Sequence, residues 1–116
     1  MGVTRIDCGP RMSDAVVAGG FVWLAGQIAE ATAGQSVAAQ TKEALGFVDE
    51  FLGKAGADKS RIVTATIWLT DMATFAEMNA VWEAWLAPGC APARATVQAR
   101  LASPGHDVEI MVVAAL

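Results

Sequence analysis

The chain has 116 residues, 54% of them hydrophobic, with 8 Lys+Arg against 12 Asp+Glu and a formal net charge of −4. That length predicts one domain over residues 1–116 around a single core, and the acidic balance excludes uses that depend on neutralising phosphates, whether duplex DNA, an RNA backbone or an anionic membrane surface. One His and two Cys are too few for a zinc site, and the lack of a bilayer-length apolar run or a signal-like start predicts a cytoplasmic protein with Cys8 and Cys90 reduced.

In chain order, Ala15 to Ala18 and Phe21 to Gln27 are rich in β-formers and separated by Gly19-Gly20, residues that accept the positive φ of a two-residue hairpin turn. From Ser36 to Ala55 the positions Val37, Thr41, Ala44, Val48, Phe51 or Leu52, and Ala55 recur at helical spacing, with Ser36 as the cap and Gly56 as the stop. Gln40, Lys42, Glu43, Asp49 and Glu50 make the opposite, polar side. Ile62 to Leu69 alternates Val63, Ala65, Ile67 and Leu69 against Thr64, Thr66 and Trp68, the period of a strand. Thr74 and Glu77 have the spacing of a capping box ahead of a second helix. Its inner stripe is Phe75, Met78, Trp82 and Trp85 or Leu86, and Pro88-Gly89 stops it. Ala93 to Leu101 and Val108 to Ala115 read as two final strands around a loop containing Pro104-Gly105.

The predicted order is β-β-α-β-α-β-β, an α+β layer with both helices on one sheet face. The other face carries Thr64, Thr66 and Trp68, or Arg94, Thr96, Gln98 and Arg100, according to register, and must meet water or another subunit. Average chains hold about 45–50% apolar residues with Gly included. A content of 54% without Gly, together with four Trp, predicts a homo-oligomer, although much of the excess is Ala.

No phosphate-cradling Gly loop, nucleophile elbow or His-Glu-x-x-His is present, so chemistry has to come from isolated polar residues on apolar elements. Arg94 opens a strand among small and apolar neighbours, and its guanidinium fork suits a carboxylate. Spacing alone favours a strand-end Arg that reaches solvent or pairs with a surface acid. Glu109 interrupts the apolar run Val108 to Val113 and needs a partner, water or protonation. If Leu101 pairs with Val108, Arg100 falls opposite Glu109, and spacing alone favours that cross-strand ion pair. The same hairpin puts Arg94 six residues further on, roughly 20 Å away at about 3.3 Å per residue. Two such residues can act on one small ligand only from different subunits. Asn79 reads as a half-buried amide, Cys90 as an inert thiol, His106 as a solvated loop residue, and Trp82 with Trp85 as core or interface.

The strand Phe21 to Ile28, the segment Thr64 to Asp71 followed by Phe75-x-x-Met78-Asn79, and Pro92-Ala93-Arg94-x-x-Val97 with Val108-Glu109-Ile110 together resemble the Rid family, the YjgF/RidA-like reactive-intermediate deaminases. The likeness runs through nearly the whole chain. It implies a chorismate-mutase-like fold, a homotrimer, and sites between subunits where enamines or 2-imino acids are hydrolysed to 2-keto acids and ammonia without cofactor or metal. Arg94 matches the family's carboxylate-binding Arg and Glu109 its water-orienting Glu. Asn79 matches an Asn near the pocket, and Thr96 a position whose backbone N–H helps hold the carboxylate. Ala25 and Gly26 match the Ser-Gly that precedes Gln27, with the Ser hydroxyl lost, and Met12 stands where a Tyr is usual. The Arg11-Met12-Ser13-Asp14 start is most similar to the YoaB-like branch. A non-catalytic trimer binding small carboxylates is the alternative; RNA cleavage or translation inhibition is disfavoured by the acidic charge.

Overall fold

The structure, a computed structural model, describes residues 2–116. Its elements are β1 (Thr4–Ile6), β2 (Ala15–Ala18), β3 (Phe21–Leu24), α1 (Val37–Lys54), β4 (Ile62–Leu69), α2 (Phe75–Trp85), β5 (Ala93–Gln98) and β6 (Val108–Ala115), with single 3-10 turns ahead of β4 and α2. The strands form one six-stranded sheet in the order β1-β2-β3-β6-β4-β5. Gly19 and Gly20 take φ of 57° and 85°, the turn that joins β2 to β3 with Ala18 opposite Phe21. Ser36 caps α1 by accepting from Ala39 N, and Gly56 at φ 82° follows its end.

Both helices pack on one face. Val37, Ala44, Leu45, Val48 and Leu52 of α1, with Met78 and Trp82 of α2, meet Val22, Leu24, Ala65, Ile67, Leu69, Val108, Ile110 and Val112 from the strands. The molecule measures 43 × 37 × 22 Å, and its thin dimension holds one helix layer on one sheet at roughly 10 Å each. The second sheet face is uncovered and largely apolar: Phe21, Trp23 and Val97 are exposed, with Thr66, Trp68, Met111 and Val113 half-buried beside them. No helix among the described residues is long and apolar enough to cross a membrane.

Several sequence expectations change. A strand at Thr4–Ile6 is added at the sheet edge, and β3 ends at Leu24, with Gln27 returning as an isolated bridge to Ile110. A register irregularity between Ile62 and Thr64 leaves Val63 exposed and puts Ile62 in the core. Gln40 is buried rather than on the polar side: its amide donates to Gln35 O, Gly105 O and Asp107 Oδ2 and accepts from Asp107 N. No capping box forms. Thr74 makes no side-chain cap, and Glu77 instead accepts from Ala38 N at the start of α1. His106 is half-buried between Ser103 Oγ and Ala29 O. The largest change is the end of the chain. β5 and β6 are not a hairpin: β5 runs parallel to β4, and β6 lies on the other side of β4, antiparallel to it.

Candidate functional site

The parallel pairing of β5 on β4 sets which residues of β5 face the helices. Arg94 lies opposite Ala65, Thr96 opposite Ile67 and Gln98 opposite Leu69, all partners in the core. Arg94 therefore points to the helix side, where Asn79 Oδ1 accepts from its Nη1 at 2.7 Å. The guanidinium carbon lies 5.7 Å from the Phe75 ring centre and 5.5 Å from that of Trp82, within reach of a cation–π attraction. Burial pushes Arg94 below its usual pKa, and nearby Glu83 opposes that shift; an arginine stays charged under either influence. The salt bridges among the described residues belong to Lys54, with Asp7 and Glu50. Arg94 is thus a half-buried cation held by a neutral acceptor and two aromatic rings, with donors left to offer an anion.

Sequence reading missed the rings, and the signal was present. Phe75, Asn79 and Trp82 are spaced i, i+4, i+7, one stripe of α2. Phe75 leaves the core stripe to which it was assigned and is 39% exposed beside the arginine. Thr96 shares this face, and its hydroxyl is the one buried side-chain N or O atom without a hydrogen-bond partner among the described residues. Its strand is a sheet edge, so one row of its backbone groups is free within the chain.

Glu109 lies on the other face. It pairs with Trp68 across β6 and β4 and sits between Val108 and Ile110, both buried toward the helices. The predicted Arg100–Glu109 cross-strand pair is absent because β5 and β6 never meet. Along β4 the partners of Arg94 and Glu109, Ala65 and Trp68, are three residues apart, which places the two backbones about 14 Å apart at standard strand spacings. Their side chains then diverge to opposite faces. β5 and β6 flank β4 instead of pairing as a hairpin, yet the chain still does not bring Arg94 and Glu109 to one ligand.

Gly26 is placed against Glu109. A Cβ on Gly26 would lie 2.7 Å from Glu109 Cδ and closer still to Oε2, so only glycine lets the carboxyl rest there. Ala25 precedes it, its N–H bonded to Asp14 O, and Gly26 with Met12, Asp14 and Gln27 borders a cavity of about 470 Å³ against α1. On the open face Glu109 shares a shallower depression of about 200 Å³ with Trp68, Arg100 and Leu101. The candidate residues thus fall into two separate clusters: Arg94, Asn79 and Thr96 under α2, and Glu109 with Gly26 and Ala25 at the far side of the sheet. No group of three or more His, Cys, Asp or Glu side chains could hold a metal among the described residues.

Comparison with known proteins accounts for this fold. The family model described as endoribonuclease L-PSP matches residues 4–116. The RutC family protein YoaB of Escherichia coli is 41% identical over 116 residues, covering all of both chains. A member of the YjgF protein family from Neisseria meningitidis, solved by crystallography, superposes with a TM-score of 0.95 at 43% identity, covering 99% of this chain and 95% of the other. A plant protein, the chloroplastic Reactive Intermediate Deaminase A of Arabidopsis thaliana, is 35% identical over 82 residues, 71% of this chain and 43% of its own length. With the sheet order, the two helices on one face and nearly the whole sequence in agreement, the chain belongs to the endoribonuclease L-PSP family, the group also called YjgF.

Proposed function

We propose that this chain hydrolyses the C=N bond of small 2-imino acids, or their enamine tautomers, to 2-keto acids and ammonia, as a cytoplasmic homotrimer with sites between subunits and without a cofactor. The observation that carries the reading is Arg94: a half-buried guanidinium between Phe75 and Trp82, bonded to Asn79, with no carboxylate partner of its own. A small carboxylate supplies what it lacks. The plant relative named as a reactive intermediate deaminase points to the same chemistry, and the free Cys8 and Cys90 fit a reducing compartment.

An imine carbon is already electrophilic, so the demands on the protein are modest. Arg94 holds the carboxylate, and Glu109 of a neighbouring subunit orients a water toward C2. The water oxygen bonds to C2 as the C=N electron pair moves to nitrogen, and one water proton passes to that nitrogen to give a carbinolamine; the hydroxyl proton then follows it to nitrogen as the C–N bond breaks and the C=O bond forms, giving the 2-keto acid and ammonia. Arg94 and Glu109 face opposite sides of one sheet, so a small ligand can meet both only across a subunit boundary. RNA cleavage, which the family's name evokes, needs a surface that neutralises phosphates, and a net charge of −4 opposes that.

The test is ammonia release from 2-iminopropionate or 2-iminobutyrate generated in situ by an amino-acid oxidase. Arg94→Ala is expected to lower kcat/KM by about a hundredfold or more, mainly through KM, because carboxylate binding is much the same in ground and transition states. Arg94→Lys should not restore it, since the bidentate fork is gone. Binding of pyruvate by the parent without any imine turnover would replace this reading with that of a carboxylate-binding protein.

A further inference from the structure

Arg100 lies just beyond β5, after the bond from Ala99 N to Leu69 O. It lines the same depression as Glu109, with Trp68 and Leu101, and the ion pairs among the described residues do not include it. One small hollow is thus bordered by Glu109, whose carboxylate is able to steer water, and by the exposed Arg100, whose guanidinium is able to hold an anion. A 2-imino monocarboxylate has no use for that guanidinium, because its one carboxylate is committed to Arg94 of the neighbouring subunit. A ligand with a second carboxylate near Glu109 would be repelled by that residue and by an acidic protein unless a cation faced it.

We propose that the site prefers 2-imino dicarboxylates, the products of oxidising acidic amino acids, with Arg94 binding the carboxylate beside the C=N bond and Arg100 the distant one. The proposal rests on the deaminase reading and narrows its substrate. The arginine that accompanies Glu109 acts as a specificity residue: it faces the end of the ligand away from the reacting carbon and makes the planar, two-bonded contact that carboxylates favour. The depression, of about 200 Å³, suits a short diacid, with the Trp68 ring available to its methylenes.

The experiment compares imines made in situ from alanine, aspartate, glutamate and lysine on the parent, Arg100→Gln and Arg100→Lys, each matched to the parent in assembly by light scattering. The parent is expected to favour an acidic imine over the alanine-derived one by about tenfold in kcat/KM, the scale of one charge-assisted contact. Arg100→Gln should bring that ratio near one, and Arg100→Lys should keep part of it. Calorimetry with 2-oxoglutarate, oxaloacetate and pyruvate reports the same ratio without turnover. A parent that favours the alanine or lysine imine, or a preference for acidic imines that survives Arg100→Gln, overturns the proposal. If no imine is turned over yet 2-oxoglutarate binds more tightly than pyruvate in an Arg100-dependent way, deamination falls and the diacid site stands. If neither diacid outbinds pyruvate, the diacid site falls whatever the turnover.

Discussion

Arg94 is held by a neutral amide. Asn79 fixes the guanidinium through one nitrogen at 2.7 Å without forming an ion pair, whereas an aspartate at that position would pair with the arginine and compete with any bound anion. Glu109 depends in the same way on an absent side chain. The Cβ that Gly26 lacks would strike the carboxyl end of Glu109, and because that end is flexible, the collision moves the carboxyl and spares the backbone. Gly26→Ala should therefore fold and assemble like the parent, with Tm within a few degrees, about the shift expected of 1 kcal/mol or less in a chain of this size. Displacing a water-orienting group by about 1 Å costs up to a hundredfold in rate. Imine turnover in Gly26→Ala is expected to fall by about ten- to a hundredfold with little change in the affinity for pyruvate. Unchanged turnover would remove Glu109 from the chemistry.

The elements legible in the sequence were those whose periodicity leaves one solution. β4 and β6 fall on the predicted residues, Ile62–Leu69 and Val108–Ala115, β4 through its alternation and β6 as an apolar run that follows the Pro104-Gly105 loop, and α1 is bounded by its Ser36 cap and Gly56 stop. The partner of β5 was not legible from its short Ala-Arg-Ala-Thr-Val-Gln run, which suits a hairpin or a crossover equally. The signal lay in the order strand, helix, strand: α2 between β4 and β5 is the connection that parallel strands require. Reading it places Arg94 under α2 and separates Arg100 from a pairing with Glu109. The candidate residues therefore stand out by type, while the faces they occupy depend on topology. The loop that follows Ile28 was equally hidden, since Glu43, which reads as a surface residue of α1, reaches back to accept from Ala31 N, Thr32 N and Thr32 Oγ1. The Thr32 hydroxyl first and the two backbone amides next lower its pKa from 4.5 to about 2. A carboxyl depressed in the folded state binds fewer protons there than in the unfolded chain, so its contribution is complete above about pH 4.5 and is lost as pH falls toward 2. Thermal melts of the parent and Glu43→Gln should differ at pH 6 and converge by about pH 2. A gap that stays constant across that range would mean that the carboxylate charge plays no part in holding the loop.

The whole molecule is a two-layer slab with its helices on one side, and a sheet face bearing Phe21, Trp23, Trp68, Val97 and Met111 on the other. An apolar face of this extent is unusual on a protein that works alone. Closing three such faces around a common axis would cover them, and closed cyclic assemblies are the common outcome for identical chains. The same closure bears on the chemistry, because Arg94 under α2 and Glu109 on the open face are kept apart within each chain. Each complete site would then draw one residue from each of two subunits, which mixed assemblies can reveal. Arg94→Ala and Glu109→Gln trimers are each expected to be nearly inactive, since every site lacks one partner. When the two chains are dissociated together and reassembled, an interface between an Arg94→Ala chain and a Glu109→Gln chain in the right order joins an intact Arg94 to an intact Glu109. Random mixing of equal amounts yields such an interface at about one site in four, so activity should return to about a quarter of the parent's. Sites contained within single chains would recover nothing, whatever the mixture. With subunit exchange verified by mass spectrometry of differently tagged chains, a mixture no more active than its parents would rule out the shared site, and a scattering mass of one chain at micromolar concentration would rule out the trimer with it.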